Sequence, residues 1–235
     1  PPFFQRLIVP FLIPFLLFMS LGPKLNWIKS KIQNRNSLII FFMISVFLSF
    51  FIIKELSADL LFYTILISSS FYLFFTTLSD FFLKKFNNFA QTVAHFGFSL
   101  LILSILFNNI LSSEIITNIK IGEKYSSKGT EIFFEKVEEK KESNYNSIVG
   151  YFSVKDERKK IFKLKPEIRI YNQPIMITSE ADIKTTLLDD KFLVMNFVKG
   201  NEYFNIRYQT KPLMIWIWIS TLLISLGGVI SLFRK

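Results

Sequence analysis

The chain has 235 residues, of which 51% are hydrophobic, 29 are Phe and 20% are charged, and it contains no Cys and a single His. The lack of Cys excludes disulfide frameworks, zinc ribbons, thiol redox motifs and Cys-held Fe–S clusters; one His excludes a multi-histidine metal site, while still allowing ligation of a haem iron from one side. A mean hydropathy of +0.38 beside a net charge of +10 requires the apolar and charged residues to be segregated along the sequence.

Uncharged runs long enough to cross roughly 30 Å of hydrocarbon, at about 1.5 Å per helical residue, occur five times. They predict spans at about 3–22, 37–53, 60–79 and 89–111, and a final transmembrane helix with its following end at 213–235. Pro10 and Pro14 predict a kink in the first. Lys24, Lys29, Lys31 and Arg35 follow the first span, Lys84 and Lys85 follow the third, and Arg234-Lys235 ends the chain. By the positive-inside rule these three places are cytoplasmic, which puts the Lys54-Glu55 turn outside and the long stretch before the last span outside as well. Trp216 and Trp218 then stand at the outer end of the last helix, where an aromatic belt belongs. Gly227 and Ser231 form a small-xxx-small helix contact. The sequence opens on Pro1-Pro2 with neither an initiator Met nor a signal peptide, as expected of the C-terminal part of a longer protein.

Residues 112–212 contain 18 basic and 15 acidic residues, so the basic surplus lies mainly on the membrane part, where it sets orientation. Nucleic-acid binding is not implied. Alternation and turn residues predict strands at 115–121, 131–137, 149–155, 160–164, 192–198 and 203–208, a small antiparallel barrel or sandwich. This domain has no phosphate loop, Ser/His pair or metal-ligand cluster, and by itself reads as a docking or scaffolding unit. The fold class is therefore a polytopic α-helical membrane protein of five spans with an inserted antiparallel β domain outside the cytoplasm.

An imidazole within a hydrophobic span is costly, which makes His95 a functional candidate. Asn88, Thr92, His95 and Ser99 are spaced to share one helix face, and Gly97 removes a side chain two residues along. The residues leave open a structural histidine bonded to a neighbouring helix, an axial haem ligand, or a proton relay. As a haem ligand His95 could be only one of the two that a low-spin b-type haem needs.

Four local patterns resemble the CcmF family of cytochrome c-type biogenesis proteins, large membrane subunits of the haem lyase, over its C-terminal third. They are Pro1-Pro2-Phe3-Phe4 through Val9-Pro10, Pro14, Met19 and Gly22-Pro23; Ala94-His95-Phe96-Gly97 with Leu100-Leu101; Pro166-Glu167-Ile168-Arg169-Ile170-Tyr171 with Asn172-Gln173-Pro174 and Ser179-Glu180-Ala181; and Lys211-Pro212-Leu213 with Trp216-Ile217-Trp218 and Leu226-Gly227-Gly228. The resemblance implies haem b held in the bacterial inner membrane, in preference to the mitochondrial one, with His95 as an axial ligand of its iron. It implies electron transfer from quinol to a haem delivered by the chaperone CcmE, for thioether attachment to apocytochrome c, with other haem lyase subunits and the N-terminal part of the same protein as partners. The family's tryptophan-rich outer segment, its flanking histidines and the second ligand are absent from this sequence, so the chain by itself is not expected to be catalytic. Arg169 and Glu180 are expected to orient the β domain, contact a partner, or form a buried pair. The alternative is a non-catalytic membrane scaffold or transport subunit with a structural His95.

Overall fold

Lipid offers the backbone no hydrogen-bond partners, so a long uncharged run satisfies its own N–H and C=O groups as a helix. The computed structural model describes residues 2–25, 35–54, 60–83, 89–198, 200 and 202–233. Helices α1 (Pro2–Leu21), α2 (Arg35–Lys54), α3 (Leu60–Leu83) and α4 (Phe89–Leu111) precede ten strands, and α5 (Met214–Leu232) follows them. Four described helical stretches, Arg35–Lys54, Tyr63–Phe82, Phe89–Leu111 and Met214–Leu232, are long and apolar enough to cross a membrane, with Pro10–Lys24 a shorter apolar one. The chain forms two compact units, one made of 1–110 with 216–235 and the other of 111–215.

In the helical unit, α2 and α3 meet through small residues. Ser45, Ser49 and Ser70 are fully buried, and each satisfies its hydroxyl by donating to a carbonyl one turn back. Phe41 stacks with Phe75 and Phe42 meets Tyr72 edge-on, so the two helices run antiparallel. The third helix continues past the expected end at Ser79 and takes Asp80 into its last turns, where Lys24 neutralises it at 2.6 Å. Leu16 of α1 is buried with Leu66 and Leu73 of α3, and Phe98, Ile102 and Leu106 of α4 close over them.

The second unit is a β-sandwich. Strands β1 (Ser113–Ile119), β8 (Asp182–Thr185), β9 (Asp189–Phe197) and β10 (Phe204–Pro212) make one sheet in the order β1-β10-β9-β8. Strands β2 (Lys124–Ser127), β3 (Thr130–Lys141), β4 (Tyr145–Lys155), β6 (Glu167–Asn172) and β7 (Ile175–Glu180) run in that order through the other, with β5 (Ile161–Leu164) pairing β4 beside β6. Six strands were expected, and all six are present, with β2, β6, β7 and β8 added. Ladder partners are antiparallel throughout, from Ser113 opposite Thr210 to Ile119 opposite Phe204 in the β1–β10 pair.

Alternate residues of both sheets point inward and fill the core, where Phe134 and Phe152 stack 4.2 Å apart beside Leu193, Met195 and Ile206. Gly150 is required there, because a Cβ would lie 2.7 Å from the Met195 sulfur and from the Phe152 ring. The β domain is bounded by Leu111 and Ile215, one and three residues outside the expected 112–212.

Candidate functional site

α4 is clamped on two opposite faces, and this fixes where its histidine lies. On one face Ala90, Val93 and Gly97 are buried. A Cβ on Gly97 would come within 2.9 Å of Leu223 Cβ and 3.0 Å of the Ile224 nitrogen and Ser220 oxygen. One on Gly227 of α5 would lie 2.8 Å from the Ala90 oxygen and Ala94. The glycines therefore let α4 and α5 pack backbone to backbone. At about 100° per residue, His95 lies some 200° around the helix from Gly97. The expectation that Gly97 clears space beside the imidazole is thus corrected; its open side seats α5.

The other face of α4 meets α1 and α3. Phe96 lies against Phe74 and Phe81 of α3, with ring centroids 5.4 and 5.3 Å away, and Phe98 meets Phe15 of α1 edge-on at 5.8 Å. At about 100° per residue His95 falls between these two phenylalanines in angle around α4, half-buried. Of the expected polar stripe, Ser99 is fully buried and donates to the Phe96 carbonyl, Thr92 is half-buried, and Asn88 lies outside the described residues. Among the described residues none forms a hydrogen bond with the His95 ring, and none shares a cluster of three or more His, Cys, Asp or Glu able to hold a metal. An imidazole can ligate a haem iron from one side, and a single one cannot by itself complete a two-ligand set.

The two residues singled out in the β domain lie on one hairpin. The stretch Pro166 to Ala181, read above as a motif without strands, is β6, a turn at Asn172–Pro174, and β7. Arg169 does not pair with Glu180. Its Nε donates to Glu167 at 3.1 Å, its guanidinium lies over the Tyr145 ring at 5.0 Å, and its ladder partners are Ser147 on β4 and Thr178 on β7. Glu180 stands opposite Glu167 and accepts a hydrogen bond from the Thr178 hydroxyl. Arg169 thus ties β6 to β4, and neither residue forms a buried ion pair.

A buried ionic group went unnoticed in the sequence. Lys191 of β9 donates to Asp156 with both side chains 8% exposed, and Arg158 lies 3.6 Å from Asp189. Together with Thr130, Leu188 and Tyr208 they line a cleft of about 300 Å³ at the end of the sandwich where β1 begins and β10 finishes. Burial pushes the Tyr208 hydroxyl up to about 12, so it stays protonated. The only sequence signal was Asp189-Asp190-Lys191 entering an otherwise apolar strand.

Residues 110–212 match the family described as CcmF C-terminal beta-sandwich. Over 241 residues the chain is 25% identical to cytochrome c-type biogenesis protein CcmF of Escherichia coli K12, covering 99% of this chain and 37% of that protein. Cytochrome c-type biogenesis protein ccl1 of Rhodobacter capsulatus is 32% identical over 119 residues, 51% of this chain and 18% of the relative. A solved structure, Cytochrome c Heme Lyase CcmF, superposes on the whole chain with a TM-score of 0.75 at 20% identity, and the match covers 41% of that structure. The chain therefore shares that fold and spans well under half the length of these relatives.

Proposed function

We propose that this chain, whose residues 110–212 match the CcmF C-terminal beta-sandwich and which is similar over 99% of its length to CcmF of Escherichia coli, forms part of the cytochrome c maturation haem lyase and supplies one ligand, His95, to a b-type haem. The observation that carries this reading is the half-buried His95 ring, the chain's sole imidazole, on the α4 face between those of Phe96 and Phe98 and without a hydrogen-bond partner among the described residues. An intramembrane imidazole left uncommitted is costly unless a ligand uses it. Gly97 and Gly227 fix the rotation of α4 by seating it on α5, and the phenylalanine contacts hold the opposite side, so the ring direction is set from both flanks.

A b-type haem held by His95 would supply one-electron chemistry, here transfer from quinol toward the haem that the chaperone CcmE delivers for attachment to apocytochrome c. The partner ligand of a bis-histidine haem would come from outside this chain, in the N-terminal part of the protein or another haem lyase subunit, since the chain has one His. The thiols that form the thioethers belong to the apocytochrome, since the chain has no Cys. Positive charge at Lys24, Arg35 and the chain end supports a periplasmic position for the β-sandwich at the bacterial inner membrane. There the hairpin that carries Arg169 and Glu180 is available to orient a partner.

The test is to co-express the chain with the N-terminal part of a CcmF protein and record reduced-minus-oxidised spectra of wild type and His95→Ala. Loss of the b-type signal from a variant that keeps its size-exclusion profile is expected. A signal of unchanged intensity and position would leave His95 structural and favour a scaffold role.

A further inference from the structure

We propose that the cleft end of the β-sandwich is a seat for an anionic phospholipid surface, with Leu187 and Leu188 entering the interfacial layer and Lys128, Arg158, Lys159 and Lys160 engaging headgroup phosphates.

Three loops and two connections converge at this end. Gly129, in the β2–β3 turn, lies against Glu157 in the turn between β4 and β5, and a Cβ there would be 3.3 Å from the Glu157 Cγ. Arg158 of that second turn reaches Asp189 at the foot of the 185–189 loop. Leu213, on the way to α5, donates its N–H to the Leu188 carbonyl at 2.9 Å. The surface is therefore continuous from the basic turns to the chain's entry into its last helix.

Continuity also names the occupant. One residue, Ser112, separates α4 from β1, and one, Leu213, separates β10 from α5. At under about 4 Å per residue, such links keep this end of the sandwich within a few ångströms of where two membrane-length helices stop. A bilayer crossed by those helices presents phosphate groups at their ends.

The composition fits that neighbour. Leu187 and Leu188 are 65% and 57% exposed, and Ile161, at the start of β5, is 71% exposed. Around them Lys128, Arg158, Lys159 and Lys160 are exposed, with Glu157 the exposed acidic residue in the same two turns. Apolar side chains projecting beside cations are the composition of an interfacial anchor, and each cation near an anionic leaflet adds attraction.

Backbone geometry points the same way. Among the described residues the three non-glycine positions with left-handed φ are Lys128 (46°), Lys159 (60°) and Leu213 (58°), all at this end. A left-handed turn position costs a Cβ-bearing residue free energy that Gly or Asn largely avoids. Both turn tips nevertheless carry Lys.

The chain has no Cys, so one introduced thiol can be labelled uniquely. The full chain with Leu187→Cys carrying an environment-sensitive fluorophore is placed in phosphatidylcholine nanodiscs with or without phosphatidylglycerol, and quenching by headgroup-proximal brominated lipid is measured. The same label at Ile175→Cys, on the turn side of the β6–β7 hairpin, is the reference. Strong quenching at 187, deeper with phosphatidylglycerol and absent at 175, is expected. Lys159→Glu with Lys160→Glu should abolish most of it while leaving the 175 signal unchanged. Quenching at 187 no greater than at 175, or indifferent to both lipid charge and charge reversal, would overturn the proposal.

Discussion

Lys24 Nζ donates to Asp80 Oδ1 at 2.6 Å, joining the turn that ends α1 to the last turns of α3 with side chains only 16% and 23% exposed. The contact requires α1 and α3 to end on the same side of the helical unit, as the charge distribution requires of the first and third spans. It also explains how α3 continues through a carboxylate that, alone, would mark the end of an apolar span.

Removing one partner should therefore be worse than removing both. Lys24→Met leaves a partly buried Asp80 carboxylate without its cation and should cost about 1–2 kcal/mol, between the values typical of exposed and of fully buried pairs. Adding Asp80→Leu should recover most of that loss. Thermal melts of the two single variants and the double variant in detergent measure the coupling; strictly additive losses would show that the contact is incidental.

The α4–α5 contact predicts a sharp difference between two neighbouring kinds of glycine. A methyl on Gly97 meets α5 backbone atoms at 3.0 Å, whereas one on Gly228 has nothing within 4 Å. Gly97→Ala should destabilise by about 1–3 kcal/mol through overpacking, and Gly227→Ala likewise, since Ala90 and Ala94 lie at 2.8 Å. Gly228→Ala should be neutral or slightly favourable, because it removes a flexible residue from a helix interior. Equal effects at 97 and 228 in thermal melts would contradict the crossing geometry.

The hairpin gives a test of Arg169 against Glu180. Arg169 couples Glu167 on its own strand to the Tyr145 ring on β4, a contact that depends on a planar guanidinium. Arg169→Lys should lose roughly 1 kcal/mol, and Tyr145→Leu should remove the difference between Arg and Lys. Glu180→Gln should leave the Arg–Tyr coupling intact. Double-mutant melts separate these outcomes, and a coupling lost with Glu180 instead of Tyr145 would restore an Arg169–Glu180 link.

What the sequence disclosed follows from the range of each interaction. The helices were legible because the signal is a run of 17 or more uncharged residues within one stretch. Asp80 was not, since the partner that lets α3 continue lies 56 residues away. Strands β1, β3, β4, β5, β9 and β10 bury alternate residues and announce themselves by period. β7 does not: Ile175, Met176 and Ile177 are all exposed, so no inward face distinguishes this edge strand from a loop. β6 buries only Ile168 fully, so its period is equally faint. His95 was recognisable as an isolated polar group in a span, whereas the role of Gly97 needed α5, more than 120 residues on, to be in place.

Two aspartates near the cleft should respond to acid with opposite sign. The Asp156 carboxyl is buried, which alone would raise it, but Lys191 and the Lys160 and Arg158 backbone amides hold it below the usual carboxylate range. The stability it contributes is present above its unfolded value, near about 3.9, and is lost as pH falls through the lower folded value. Asp190 differs. Its Oδ1 is buried without a hydrogen-bond partner, and burial raises its carboxyl above the ordinary value despite the hydrogen bond with Thr185. The native state then holds that proton more tightly than the unfolded chain, so stability falls as pH rises from the unfolded value through the raised folded one. At neutral pH, Asp156→Asn should lose about 3–5 kcal/mol, because Lys191 stays buried without a counter-charge. Asp190→Asn should gain roughly 1 kcal/mol at the same pH, and the gain should vanish as acid neutralises the wild-type carboxyl. Melting temperatures of the full chain and both variants, followed from neutral pH down to about 2, below the unfolded carboxylate value, give the two slopes. Shifts of the same sign at neutral pH, or an Asp190→Asn gain that persists unchanged into acid, would overturn the assignment of opposite roles.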